Sequence, residues 1–130
     1  MSRLSGVADD LSLTLEQEIG DDPDILDVHL YAVTANGDTV GHVHAGWGAG
    51  AYAAVETANI DDAYRGKGLY PEMLLTLLEI FKENGAKGIA STADAREGDD
   101  SRRSWEKFAK RMPRRVKRID DEDGPTFVLT

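Results

Sequence analysis

Ala63-Tyr-Arg-Gly-Lys-Gly-Leu-Tyr-Pro-Glu72 runs directly into Met73-Leu-Leu-Thr-Leu-Leu-Glu-Ile-Phe81, and the junction between them decides the fold. Leu74, Leu75, Leu77, Leu78 and Phe81 recur at helical spacing, which predicts an amphipathic helix over Leu69–Asn84. Pro71 near its first turn costs little, because that N–H has no intrahelical partner. Gly85 is placed to end it. Two glycines and two cations thus stand where a strand-like segment, Ala51 to Ile60, meets a helix. Such a turn aims backbone N–H donors and the positive helix end at one point, an arrangement suited to a phosphate or pyrophosphate. A tight strand–helix connection needing permissive backbone is the alternative for a Gly-x-Gly match taken alone.

Upstream of the junction the pattern alternates. Leu11, Leu13 and Leu15 interleave with polar residues as a first strand, and Leu26 to Val33 is a second. Asn36-Gly37 predicts a type I′ hairpin turn into a third strand, Thr39 to Ala45. Downstream, Lys87 to Ala93 is a short apolar strand that completes a βαβ unit. Ser101 to Met112 reads as a second helix with Trp105, Phe108 and Ala109 on one face, stopped by Pro113. Arg114–Ile119 and Thr126–Thr130 form a closing pair of strands. The order is α+β with an antiparallel N-terminal half, in a single domain over residues 1–130.

The chain has no cysteine, which excludes disulfides, Cys-ligated zinc and thiol catalysis. The N-terminus lacks an apolar run and no stretch reaches membrane-spanning length, so a cytoplasmic protein with no membrane partner is expected. Charge is unevenly placed. Residues 1–100 carry 6 basic and 19 acidic side chains, whereas residues 101–119 carry 9 basic and one acidic. An acidic body favours cationic partners such as amines and disfavours nucleic acid; it also simply confers solubility. The basic segment 102–118 has three readings: a solvated helix face balanced by the acidic tail, a phosphate contact, or a nucleic-acid surface. The last lacks an aromatic ladder.

Two phosphate-binding motifs fail on the quoted stretch. A dinucleotide fingerprint requires a third glycine where Pro71 stands, and a Walker A loop requires Gly-Lys-Ser/Thr rather than Gly66-Lys67-Gly68. The segment Ala58 to Leu69 instead resembles the central motif of the GNAT superfamily of N-acetyltransferases, Arg/Gln-x-x-Gly-x-Gly/Ala between a strand and an amphipathic helix. Arg65 and Gly68 match, while Tyr70 stands where Gly or Ala is usual. The resemblance extends over about residues 10–130 and is specific over 56–82. It implies a mixed sheet with splayed strands around the central βαβ unit, and acetyl-CoA as co-substrate.

The resemblance also implies site residues. Backbone groups of Arg65, Gly66, Lys67, Gly68, Leu69 and Tyr70 would cradle the pyrophosphate. Asn59 and Ile60 would pair with the pantetheine arm as an added strand, with the Ile60 N–H as oxyanion donor. Ser101 or Ser104 would contact pantetheine or cap the helix, and where the basic segment makes a phosphate contact rather than a solvated face, Arg102, Arg103 and Lys107 are the candidates for the 3′-phosphate. The thioester would lie in a V-shaped gap between strands 51–60 and 87–93.

Acetyl transfer by direct attack of a primary amine needs a proton acceptor, and Glu56, the acid within the apolar strand, is the candidate base or else an outward-facing strand residue. His42 and His44 share a strand face and serve through water or as packing residues. As a metal site the pair lacks a third ligand, and no metal is expected. The family's thiolate-protonating Tyr is replaced by Trp105, whose indole cannot transfer a proton usefully, so water, Tyr70 or Tyr52 takes that role or it is not needed. Family members insert two helices between the first two strands. Gln17 to Leu26 is too short for them, so the acceptor site is open, or is roofed by a partner in a homodimer. The leading reading is an N-acetyltransferase acting on a small-molecule or protein amine. The alternatives are a catalytically weak CoA-binding or regulatory module and a nucleic-acid-associated protein using segment 102–118.

Overall fold

A computed structural model describes residues 6–91, 99–121 and 124–130. A short helix α1 (Gly6–Asp10) leads into strands β1 (Leu13–Ile19), β2 (Leu26–Thr34), β3 (Thr39–Trp47) and β4 (Tyr52–Ile60). A 3-10 turn at Asp62–Tyr64 precedes helix α2 (Leu69–Glu83). Strand β5 (Gly88–Ala90), helix α3 (Asp99–Arg111) and strands β6 (Val116–Asp121) and β7 (Gly124–Leu129) complete the described elements. One sheet holds all seven strands in the order β1-β2-β3-β4-β5-β7-β6. Among the described residues only the β4–β5 pairing is parallel. The α+β reading with a central βαβ unit is the observed architecture. Among the described residues no helix is long and apolar enough to cross a membrane.

Alternation along β2, β3 and β4 sends Val28, Leu30, Ala32, Val43, Ala45, Ala53 and Val55 to one buried face. Helix α2 packs there. Its apolar surface is wider than the predicted stripe, since Leu69, Tyr70 and Met73 are buried as well. The reason is tertiary: α1 and α3 contact α2 on flanks the sheet does not reach. At its C-terminus Gly85 N–H bonds to Lys82 O and Ala86 N–H to Phe81 O, the paired closure that a left-handed Gly85 permits. The hairpin after β2 differs from expectation. Gly37 is left-handed but Asn36 is not, and Gly37 N–H bonds to Thr34 O. The connection is therefore not type I′, and the β2–β3 register shifts at Ala32/Val33 to absorb it. Strand β5 is also shorter than the predicted Lys87–Ala93; the end of that span lies outside the described residues.

The β1–β2 connection, residues 20–25, contains no helix, as its length dictated. Helix α1 was not foreseen, because five residues carry too little periodic signal. It is tied down by Glu72, whose Oε2 accepts the Ala8 N–H at 2.7 Å. Glu72 is only 2% exposed, and burial pushes its carboxyl above the usual value of 4.5; the Ala8 N–H opposes this, and Asp9 and Asp10 add to it. A carboxyl whose pKa is raised on folding stabilises the fold when protonated and loses that contribution as pH rises through the folded value. Glu72→Gln keeps an acceptor for Ala8 and removes the charge. Its melting temperature should therefore gain on wild type as pH rises from about 4.5 to neutral. A difference between the two proteins that stays constant with pH would count against a charge-burial penalty at Glu72.

Candidate active-site cleft and sheet face

The β4–β5 ladder is short. It joins Tyr52–Ala54 to Gly88–Ala90, after which Ser91 donates its N–H to Phe127 O on β7 instead. Strand β4 continues for six more residues, and from Glu56 to Ile60 no strand lies on its β5 side among the described residues. The divergence has a local cause. In the β3–β4 register His44 opposes Thr57 while Ala45 opposes Val55, so Glu56 is an extra residue in β4. Such a bulge bends the strand that carries it and raises its twist. Here it lies two residues beyond the last β4–β5 pair, where β4 turns away from β5.

The far end of β4 opens into a cleft of about 330 Å³. One wall is the predicted turn. Asn59, Ile60, Arg65, Gly66, Gly68, Leu69 and Tyr70 all line the cleft. Gly66 and Gly68 have φ of 74° and 87°, and Gly68 is the N-cap of α2, so the backbone at the helix start is presented here. The opposite wall is α3, which contributes Arg103, Lys107 and Arg111 at four-residue spacing, together with Ser104. Positive charge from α3 thus faces the positive end of α2 across open space, a combination that calls for an anion between them.

Individual side chains depart from expectation in informative ways. Arg65 bends back, donating from Nε to the Ile60 carbonyl at 2.8 Å and standing 3.4 Å from Asp62 Oδ1. It braces the turn at the end of β4. Lys67 is exposed and does not line the cleft, leaving its backbone as the part that belongs to the turn. Ser101 lies in the first turn of α3, but its side chain lies outside the described residues. Arg102 is exposed and absent from the lining, whereas Arg111, which the sequence reading missed, is part of it. The i, i+4, i+8 spacing of Arg103, Lys107 and Arg111 was the available signal.

Trp105 is fully buried. Its ring stacks on Phe127 at 5.9 Å, lies 6.2 Å from Phe108 and meets Tyr70 edge-on at 6.4 Å. It is a packing residue that joins α3, β7 and the start of α2. Tyr70 is buried by the same contact while lining the cleft.

Glu56 does not line the cleft. It is exposed at the bulge, beside Thr57 and so across from His44. The same sheet face carries His29, Tyr31 and His42: the His29 ring stacks on His44 at 4.0 Å, on His42 at 5.1 Å and on Tyr31 at 6.1 Å, and Tyr31 stacks on His42 at 4.8 Å. His29 Nδ1 and His42 Nε2 are 2.8 Å apart, and His44 Nε2 bonds to Asp27 Oδ1. Burial holds the His42 imidazole below its usual pKa, and His29 and His44 lower it further. The sequence showed only His42 and His44 as a pair. Pairing of β2 with β3 adds Asp27 and His29.

With this geometry in place, the match to known proteins is specific. The family model of the acetyltransferase (GNAT) family covers residues 6–109. The chain belongs to the GNAT family. Its fold is similar to a GNAT-family acetyltransferase from Staphylococcus aureus Mu50, with 16% identity, TM-score 0.60, and 79% of this chain and 66% of that one covered. It is similar to an acetyltransferase from Bacillus cereus ATCC 14579, at 16% identity and TM-score 0.55, covering 99% and 91% of the two chains. It also resembles the PaiA N-acetyltransferase from Thermoplasma acidophilum in complex with coenzyme A, with 17% identity, TM-score 0.56, and 82% and 61% covered. This GNAT chain therefore spans about two thirds or less of the first and last of these relatives. No curated protein matches it.

Proposed function

We propose that this GNAT chain transfers the acetyl group of acetyl-CoA to a primary amine by direct attack on the thioester. The observation that carries the reading is the cleft itself. A left-handed glycine turn at the start of α2 faces the Arg103–Lys107–Arg111 stripe, beside a stretch of β4 that β5 has left. The turn suits the pyrophosphate, the stripe suits the 3′-phosphate, and the backbone of Asn59 and Ile60 suits the amide-bearing pantetheine arm. The thioester then falls in the gap between β4 and β5. The nitrogen lone pair of the amine attacks the thioester carbonyl, the C–S bond breaks, and the thiolate takes up a proton.

Glu56 stands at the bulge that opens the gap, exposed and able to accept the amine proton through water. Tyr70 or water returns a proton to the thiolate, because Trp105 is locked in the core. The absence of helices from residues 20–25 leaves the acceptor side open, which suits an amine on a larger molecule or a site roofed by a second copy of the chain. The acidic body favours a cationic acceptor.

The test is acetyl-CoA turnover across a panel of small and protein-borne amines, with binding measured by calorimetry. Glu56→Gln should lower turnover by about 10²-fold or more while leaving acetyl-CoA affinity within about twofold. Equal turnover would reject Glu56 as the base. The buried Trp105 at the position of the family Tyr favours a second reading, a CoA-binding module without efficient catalysis. Tight acetyl-CoA binding with no turnover on any amine would support that reading over the first.

A further inference from the structure

The chain contains three histidines and no cysteine, and all three histidines lie on one face of the β2–β3 ladder. We propose that Asp27, His29 and His44 form a binding site for a divalent transition cation of the zinc type, outside the acetyl-CoA cleft. The site follows from sheet geometry. Asp27 and His29 are two residues apart on β2 and so share a face, and His44 is directly opposite His29 on β3. One ligand atom from each lies within 4.8 Å of the other two. Bound at about 2.0–2.2 Å from each donor, a tetrahedral cation needs donors roughly 3.4 Å apart, a closure that side-chain rotation supplies.

The surroundings prepare each donor. Asp27 lies opposite Gly46, where an added Cβ would come within 3.3 Å of Asp27 Oδ1. The missing side chain leaves the carboxylate room to lean across to His44. His29 Nε2 is 3.9 Å from Asp27 Oδ2, while its Nδ1 is hydrogen-bonded to His42 Nε2. When His29 donates in that bond, its Nε2 keeps the lone pair that a metal requires, so His42 acts as a positioning residue. His44 Nε2 already points at Asp27; the cation takes the Nε2 lone pair while the ring proton moves through solvent to Nδ1, so the imidazole binds in its neutral form. The three side chains are between 21% and 36% exposed, which gives a cation a way in and leaves a fourth position for water. Two imidazoles and a carboxylate form a nitrogen–oxygen donor set of the kind zinc takes, and the negative body draws cations toward it.

The experiment uses the untagged chain stripped of metal with a chelator. Zn²⁺ is titrated in competition with a chromophoric indicator, and Co²⁺ is added separately to read its visible ligand-field bands. One equivalent of Zn²⁺ should bind at micromolar affinity or better, and Co²⁺ should give the intense bands of a four-coordinate site. His29→Gln, His44→Gln and Asp27→Asn should each weaken Zn²⁺ binding by at least about tenfold, with His42→Gln costing about tenfold through orientation alone. Circular dichroism and melting curves confirm that each variant is folded. A Kd weaker than about 100 μM for the folded wild type, or an affinity unchanged in the folded His29→Gln and His44→Gln variants, overturns the proposal.

Discussion

Gly68→Glu is expected to remove acetyl-CoA binding while the chain stays folded. Gly68 is left-handed at φ 87°, caps α2 and lines the cleft opposite Arg103, Lys107 and Arg111. A glutamate there has three consequences. Its Cβ strains the backbone by about 1–2 kcal/mol. Its side chain enters the space proposed for the pyrophosphate. Its carboxylate competes for the same N–H donors and cations. Losing two charge-assisted hydrogen bonds of about 1.5–3 kcal/mol each lowers affinity by roughly 10²-fold or more. Calorimetry with acetyl-CoA measures this, and Gly68→Ala separates the backbone strain from the steric and charge effects. Affinity that survives in Gly68→Glu would reduce the motif to a strand–helix turn.

Trp105→Ala should be the most destabilising of these substitutions. The ring is fully buried among Phe127, Phe108 and Tyr70, and removing such a side chain costs about 3–5 kcal/mol through lost transfer energy and the cavity left behind. The loss should extend to the cleft, because Trp105 anchors the helix that carries Arg103, Lys107 and Arg111. Denaturant midpoints should fall sharply for Trp105→Ala and modestly for Trp105→Phe, with acetyl-CoA affinity following the same order. Trp105→Tyr restores the family residue but sets a hydroxyl in an apolar cluster, so it should not raise turnover. A stable Trp105→Ala protein with full affinity would show that α3 is held by other contacts.

How legible the site was depends on the kind of signal each part leaves. The glycine turn was readable because Arg65, Gly66 and Gly68 fall within one short stretch and their conformational demands are local. The buried stripe of α2 was readable as periodicity, but its full width was not, since α1 and α3 cover residues that no single-face pattern marks. Glu56 stood out as an acid in an apolar strand, yet its place in a bulge depends on how β3 pairs with β4. Arg111 was hidden because a basic run looks the same in sequence whether it faces a cleft or solvent.

The histidines make the same point at longer range. Sequence put His42 and His44 on one strand face and found no partner for them, while Asp27 and His29 lay in a neighbouring strand with nothing to signal a connection. Local order alone determined the strand–turn–helix unit, its glycine turn and the short connection at residues 20–25, because backbone preference and chain length act over a few residues. Tertiary structure decided the direction in which β4 leaves β5, the cleft between α2 and α3, the burial of Trp105 and the meeting of Asp27, His29 and His44. Each of these depends on strand register or helix docking, which brings distant residues within bonding range only when the whole sheet has formed.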